Sequence, residues 1–191
     1  MNRKILTFSG KLFDWQHPTV DMICIEDIAH ALSLINRYTG HTRLPYSVAE
    51  HCVRASYVTS GDALVNLLHD AAEAYVGDIA SPQKRALCWK QSGQYISPQY
   101  TSFKQQEIKI LEVIAQALDV PSLAKGANTG GTKEADLIML ATEVRDLMPT
   151  DTKGIFIPWL QGVQPLPIKI APWNWAIARS EFLKRYEELH G

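Results

Sequence analysis

The sequence predicts an all-α fold, a single domain of packed helices over residues 1–191 with one small β-hairpin near the N-terminus. Three observations lead there. Apolar residues recur at spacings of three and four along successive segments, the period of one buried helix face. Residues that start and stop helices stand at the ends of those segments. The β-prone runs are short and flank Ser9-Gly10, and 191 residues suit one domain with a sizeable core.

Residues 4–14 (KILTFSGKLFD) read as the hairpin. From Glu26 the pattern turns helical, with Ile28, Ala31, Leu32 and Ile35 on one face and a C-cap near Thr39-Gly40. After a loop through His41 and Pro45, Ser47 is the N-cap of the next helix. Glu50, three residues on, completes a capping box. Gly61-Asp62 opens a helix over 63–76, ALVNLLHDAAEAYV, which Gly77 closes. Residues 78–98 read as loop with one short helical turn. A long amphipathic helix runs from Phe103 to Leu118, followed by a flexible loop from Pro121 to Gly131. Thr132 caps the helix KEADLIMLATEVRDLM, which Pro149 ends. Pro158, Pro165, Pro167 and Pro172 make 154–172 an irregular strap, with Trp159, Trp173 and Trp175 as its hydrophobic clamps. A last helix spans Asn174 to Leu189.

Composition narrows the class of function. Hydrophobic residues at 46% and charged residues at 20% are ordinary for a folded chain, and the net charge of −1 offers no broad field for a nucleic-acid backbone. A small anion needs only a local cluster of Lys and Arg. Cys24, Cys52 and Cys88 are widely spaced and form no C-x-x-C pair, which argues against a disulfide framework and fits a reducing cytoplasm. The N-terminal residues read as neither a signal peptide nor a membrane span.

The chemistry concentrates in LLHDAAEAYVGD at 67–78. His69 and Asp70 are neighbours, about 100° apart around a helix, so both can aim at one point off its surface. Glu73 lies four residues after His69, on the same side. Burying three such groups among Leu and Ala without partners would cost several kcal/mol, and a bound cation removes the difficulty. Further ligands must come from other helices. His51 sits inside an apolar pattern on the preceding helix, and Asp136 stands between Ala135 and Leu137 in the 132–148 helix. His51, His69, Asp70 and Asp136 thus offer two nitrogens and two oxygens, leaving positions open for water and substrate. Cys52, beside His51, points about 100° away and reads as core. His17, His30 and His190 read as ordinary histidines, whereas His41 reads equally as surface or pocket.

The order His…His-Asp…Asp resembles the HD-domain metal-dependent phosphohydrolases. The longer run His69-Asp70-x-x-Glu73-x-x-x-Gly77-Asp78-x-x-Ser81-Pro82-x-Lys84 is similar to bacterial 5′-deoxynucleotidases and to phage triphosphohydrolases of deoxynucleotides such as dATP. Asn36-Arg37 followed by an aromatic, then Ser47-Val48-x-Glu50-His51, resembles that family's approach to its first metal histidine, and the likeness covers about residues 28–148. The resemblance implies an HD-domain helical bundle and one divalent ion (Co, Mn, Zn, Fe, Ni or Mg) held by His51, His69, Asp70 and Asp136. It implies a nucleotide substrate whose 5′-deoxynucleoside monophosphate ester is cut by metal-activated water. Glu73 would orient water or move its proton, and Asp78 would hydrogen-bond sugar or leaving group. Arg37 would hold the phosphate with its fork, Lys84 would add a point charge, and Tyr38 stands where the family carries a Trp beside the sugar. A homo-oligomer, dimer or higher, with no nucleic-acid or membrane partner, completes the expectation.

Alternatives remain open at this level. A triphosphohydrolase releasing tripolyphosphate would need more positive charge, for which Arg37, Arg43, Lys84 and Arg85 are available. A non-catalytic nucleotide sensor would be expected to have lost a ligand or Glu73, and this chain keeps them. The interval between Asp70 and His190 contains no histidine, which favours one metal over two and disfavours an oxygenase.

Overall fold

A computed structural model describes residues 4–80, 83, 98–127, 129–149 and 160–191. Among these, the protein is mostly helical with one two-stranded antiparallel sheet, as the periodicity predicts. Strands β1 (Lys4–Leu6) and β2 (Leu12–Asp14) pair Ile5 with Phe13 across the Gly10 turn. The helices are α1 (Ile25–Leu34), α2 (Val48–Ala55), α3 (Ala63–Leu68), α4 (Glu73–Val76), α5 (Pro98–Ala117), α6 (Pro121–Gly126), α7 (Gly130–Leu147) and α8 (Trp175–His190). No helix among the described residues is long and apolar enough to cross a membrane.

Helix α2 is the hub. It packs against α1, α3, α7 and α8, so its side chains are enclosed from every direction. One apolar cluster joins Phe13, Ile28, Leu32, Leu67, Ile110, Ile114 and Phe182. A second gathers Tyr46, Ala55, Met139, Leu147 and Ile170 between α2, α7 and the strap. The hairpin is tied to α1 through Asp27, whose carboxylate accepts from the Ser9 amide at 2.6 Å and the Ser9 hydroxyl at 2.7 Å. Cys52 is fully buried in the first cluster, and Cys24 and Cys52 are both free thiols.

Several elements depart from expectation, each for a local reason. The helix begun near Glu26 stops at Leu34 instead of reaching Gly40. Ile35 turns extended, its carbonyl accepts from Val48 N–H at 3.0 Å, and Arg37 N–H donates to Tyr46 O at 2.9 Å. Pairing with the chain ahead of α2 therefore outcompetes another helical turn. The 63–76 helix is split at His69–Ala72 by i→i−3 bonds, Ala71 N–H to Leu68 O and Glu73 N–H to Asp70 O, both 2.9 Å. The Asn66 carbonyl, which a continuous helix would reserve for Asp70, accepts from His69 Nδ1 at 2.7 Å.

The expected loop at 121–131 contains α6, because Pro121 at its first turn presets φ and Leu123 drops fully into the core. Helix α7 starts one turn before Thr132, with Thr129 at the N-cap position, and Thr132 is buried. The capping box forms only by half. Ser47 Oγ accepts from Glu50 N–H at 3.1 Å, but the Glu50 carboxylate turns to Arg54 and to the Trp173 amide at 2.8 Å. That bond pins the strap to α2, with Trp173 lying 4.7 Å from the Arg54 guanidinium. Trp175 is 51% exposed and meets His30 of α1 edge-on at 6.2 Å instead of being buried as a clamp, whereas Trp159, Ser81-Pro82, Arg85 and Cys88 lie outside the described residues. Helix α8 starts as expected, Asn174 capping Ile177 N–H at 3.0 Å.

Two glycines set how close α7 comes to the loop before α3. A Cβ on Gly131 would stand 2.7 Å from the Gly61 Cα, and Gly61 has φ +81°. Gly131→Ala should therefore force the helix start away from residue 61. Thermal melts should show a loss of about 1–3 kcal/mol, the usual range for overpacking.

The strap is also held by Asp146, which accepts from Ile170 N–H at 2.8 Å and from Arg145. The Arg145 hydrogen bonds hold the Asp146 carboxyl below its ordinary value. Its contribution is complete above the unfolded value near pH 4 and is lost as pH falls through the lower folded value. Asp146→Ala should cost about 1–2 kcal/mol at pH 7, the lower range for a charged hydrogen bond because solvent screens Arg145. Melts from pH 7 to pH 3 should show the gap to wild type closing at the acid end.

Candidate metal centre

After α3 the backbone tightens to i→i−3 bonds over His69–Ala72. His69 Nε2 and Asp70 Oδ2 come within 3.2 Å of each other. From α2, the His51 Nε2 arrives 3.4 Å from His69 Nε2 and 3.8 Å from Asp70 Oδ2. One donor atom from each of His51, His69 and Asp70 lies within 4.8 Å of the others, so the three can hold a metal ion. Asp136, in the second turn of α7, places Oδ1 3.3 Å from His51 Nε2 and stands at the open side, 45% exposed.

The tautomers fit a cation. His69 Nδ1 faces the Asn66 carbonyl and so donates. His51 Nδ1 faces a carboxylate, Glu143 Oε1, at 2.6 Å and donates as well. Both imidazoles therefore offer Nε2 to the same small space, facing each other and the oxygens of Asp70 and Asp136. Two Nε2 atoms and the Asp70 carboxylate within 4.8 Å, with Asp136 3.3 Å from His51 at the open side, are a donor set that a borderline divalent ion could use on displacing protons from the imidazoles.

Glu143 is the residue that the sequence reading missed. It is fully buried on α7 and accepts from His51 Nδ1, from Arg37 Nε at 3.1 Å and from the Tyr38 hydroxyl at 2.6 Å. A signal existed: it lies seven residues after Asp136, two turns along the same helix face, in a stripe with Ala135 and Met139.

Glu143 also explains the backbone at 37–40. Tyr38 and Thr39 are held in the left-handed region, at φ 55° and 53°, which costs of order 1–3 kcal/mol per residue. The Arg37 and Tyr38 contacts to Glu143 help hold this turn in place, together with the backbone bonds of Arg37 N–H to Tyr46 O and His41 N–H to Tyr38 O.

Charge is dense here. Burial opposes ionisation of Glu143, but Arg37 and His51 outweigh it and its carboxyl lies below the ordinary value. Desolvation likewise opposes Asp136, and His51 brings it down to about 2. Asp70 is lowered further against its own burial by His69, His51 and Arg37. Burial and Arg37 depress His51, yet Glu143 and Asp136 raise it to about 9. His69 is raised too, Asp70 overcoming its burial. The carboxylates thus draw positive charge onto the two Nε2 atoms, the place a cation would take.

The remaining candidates divide. Glu73 is buried and lines a cleft of about 300 Å³ beside His69, Asp70 and Asp136. Arg37 stands behind the donors, its Nη1 3.6 Å from Asp70 Oδ2 and its Nη2 3.8 Å from Asp136 Oδ1. Tyr38 gives its hydroxyl to Glu143, and neither it nor the partly buried Asp78 just past α4 lines the cleft. Lys84 lies outside the described residues. Arg43 binds the Asp146 carbonyl near the far end of α7, at 3.0 Å, so it is not a pocket cation. His41 is exposed in its loop. Lys104 and Lys133, which the sequence did not single out, line the cleft.

Co²⁺ titrated into metal-free protein should bind with release of protons, followed by calorimetry in buffers of different ionisation enthalpy. His69→Ala should weaken that binding more than ~100-fold, beyond the ~10–100-fold typical of losing a ligand's outer partner. His30→Ala should leave it unchanged.

No protein-family model matches the chain. It is 39% identical over 89 residues to the Uncharacterized protein RCAP_rcc00048 of Rhodobacter capsulatus, covering 41% of this chain and 45% of that one. It is also 39% identical over 187 residues to the Uncharacterized protein YfdR of Escherichia coli K12, covering 97% of this chain and 94% of YfdR. With that identity sustained from end to end, the chain belongs to the YfdR family.

Proposed function

We propose that the protein is a single-domain HD-type phosphohydrolase that uses one divalent ion to hydrolyse the phosphate ester of 5′-deoxynucleoside monophosphates. The observation that carries the reading is convergence. His51 of α2 comes to within 4.8 Å of the adjacent pair His69-Asp70, and Asp136 of α7 stands beside them, in the order that the HD resemblance requires. A divalent ion at such a site would acidify water and polarise a phosphoryl oxygen. The ion would be Co, Mn, Zn, Fe, Ni or Mg, and the reading carries with it a cytoplasmic homo-oligomer.

The chain's own residues supply the rest. The Arg37 fork reaches the donor cluster from behind, its Nη1 and Nη2 facing Asp70 and Asp136, and once released from those carboxylates it would grip two phosphate oxygens. Glu73, on the cleft wall next to His69 and Asp70, is the group to orient water and take its proton. Asp78, just past α4 and outside the cleft wall, would meet only a sugar or leaving group that extends beyond the cleft, and Tyr38 would act through Glu143.

A second reading, a deoxynucleoside triphosphohydrolase releasing tripolyphosphate, is favoured by one observation. Lys104 and Lys133 place two cations on the cleft wall, beside Glu107, where a longer phosphate chain could reach them.

A panel of mono-, di- and triphosphates, ribo and deoxy, with Mn, Co, Mg or Zn, separates the readings. Orthophosphate from a deoxymonophosphate supports the first and tripolyphosphate from a triphosphate the second. Asp70→Ala should abolish metal-dependent release in a protein that keeps its helical circular dichroism. Arg37→Ala should raise KM by about tenfold or more, the scale of a lost charged hydrogen bond, with metal retained. Wild-type turnover in Asp70→Ala would end the proposal.

A further inference from the structure

Glu143 contacts both halves of the site and belongs to neither. Its Oε1 accepts from the Nδ1 of His51, and its Oε2 accepts from Arg37 Nε and the Tyr38 hydroxyl. These three partners come from α2 and from the left-handed turn, more than 90 residues before Glu143, so the carboxylate is the crossing point of the network. It is fully buried.

We infer that Glu143 is a positioning residue that couples cation binding to anion capture, through His51 on one oxygen and Arg37 on the other. The inference rests on the phosphohydrolase reading for the anion and on the donor cluster for the cation. Two consequences follow from the geometry. Accepting from Nδ1 keeps His51 in the tautomer that offers Nε2, and a hydrogen-bonded imidazole is a stronger base toward a metal. Accepting from Nε holds Arg37 by its inner nitrogen only, leaving Nη1 and Nη2 to face Asp70 and Asp136 at 3.6 and 3.8 Å. A cation shared by those two carboxylates weakens their attraction for the fork, and the fork, still held by Glu143, becomes available to an anion. Cation and anion affinities are then linked, each raising the other by the same factor.

The test uses the full chain and two probes, Co²⁺ and inorganic phosphate, read by calorimetry and by the visible spectrum of bound Co²⁺. Glu143→Gln should weaken Co²⁺ binding by about 10–100-fold and shift its absorption bands, because His51 loses a charged partner. The same variant should weaken phosphate binding to the Co²⁺-loaded protein by about tenfold or more. Arg37→Ala should lose the phosphate effect alone, with Co²⁺ affinity at or above wild type because a competing positive charge is gone.

A folded Glu143→Gln protein with wild-type Co²⁺ affinity and spectrum would overturn the inference. If that variant fails to fold, ¹⁵N shifts of His51 in the Zn²⁺-loaded wild type decide instead. A protonated Nδ1 with Nε2 on the metal supports the inference, and Nδ1 on the metal overturns it. Linked Co²⁺ and phosphate binding with no nucleotide hydrolysed would sink the enzymatic reading while leaving this one standing. A wild-type protein that takes up no divalent ion would sink both.

Discussion

A carboxylate sealed from solvent governs this molecule. Glu143 carries a full charge into a place where Born energy alone would forbid it, and it stays ionised because a guanidinium, an imidazole and a phenol converge on it. Those donors must be brought from distant segments. The turn at 37–40 has to fold back, α2 has to present His51, and α7 has to lie along both. Removing any one donor would strand buried charge, so the arrangement is specific even if it adds little net stability.

The architecture around that charge follows from the same demand. Helix α2 lies between two apolar clusters, and its polar residues Glu50 and His51 sit where they separate. Glu50 faces the strap through Arg54 and Trp173, and His51 faces the donor cluster. One helix thus fixes an irregular segment on one side and a reactive group on the other. The paired glycines at 61 and 131 let α7 approach closely enough for Asp136 to reach His51.

Local strain accumulates at the same place. Two successive left-handed residues, Tyr38 and Thr39, and the shift to i→i−3 bonding at His69–Ala72 are both departures from regular structure, the first tied to the donor cluster through Glu143 and the second carrying His69 and Asp70 themselves. Such distortion persists only where surrounding contacts over-determine it, which the buried network does.

The sequence by itself determined the helical class, the hairpin, the cap residues Ser47, Asp62 and Asn174, and the polar interruptions His51, His69, Asp70 and Asp136. These are local properties, since periodicity, capping and an ionisable group inside an apolar stripe are visible within a few residues. Lys104 and Lys133 carried no comparable local mark, Glu143 carried only its place in a stripe with Ala135 and Met139, and the breaks at Leu34 and His69 ran against a periodicity that continues through them. Only tertiary structure decided those. The energy that selects them comes from contacts across 90 or more residues, such as Glu143 with Arg37 and His51, and no window of the chain contains both partners.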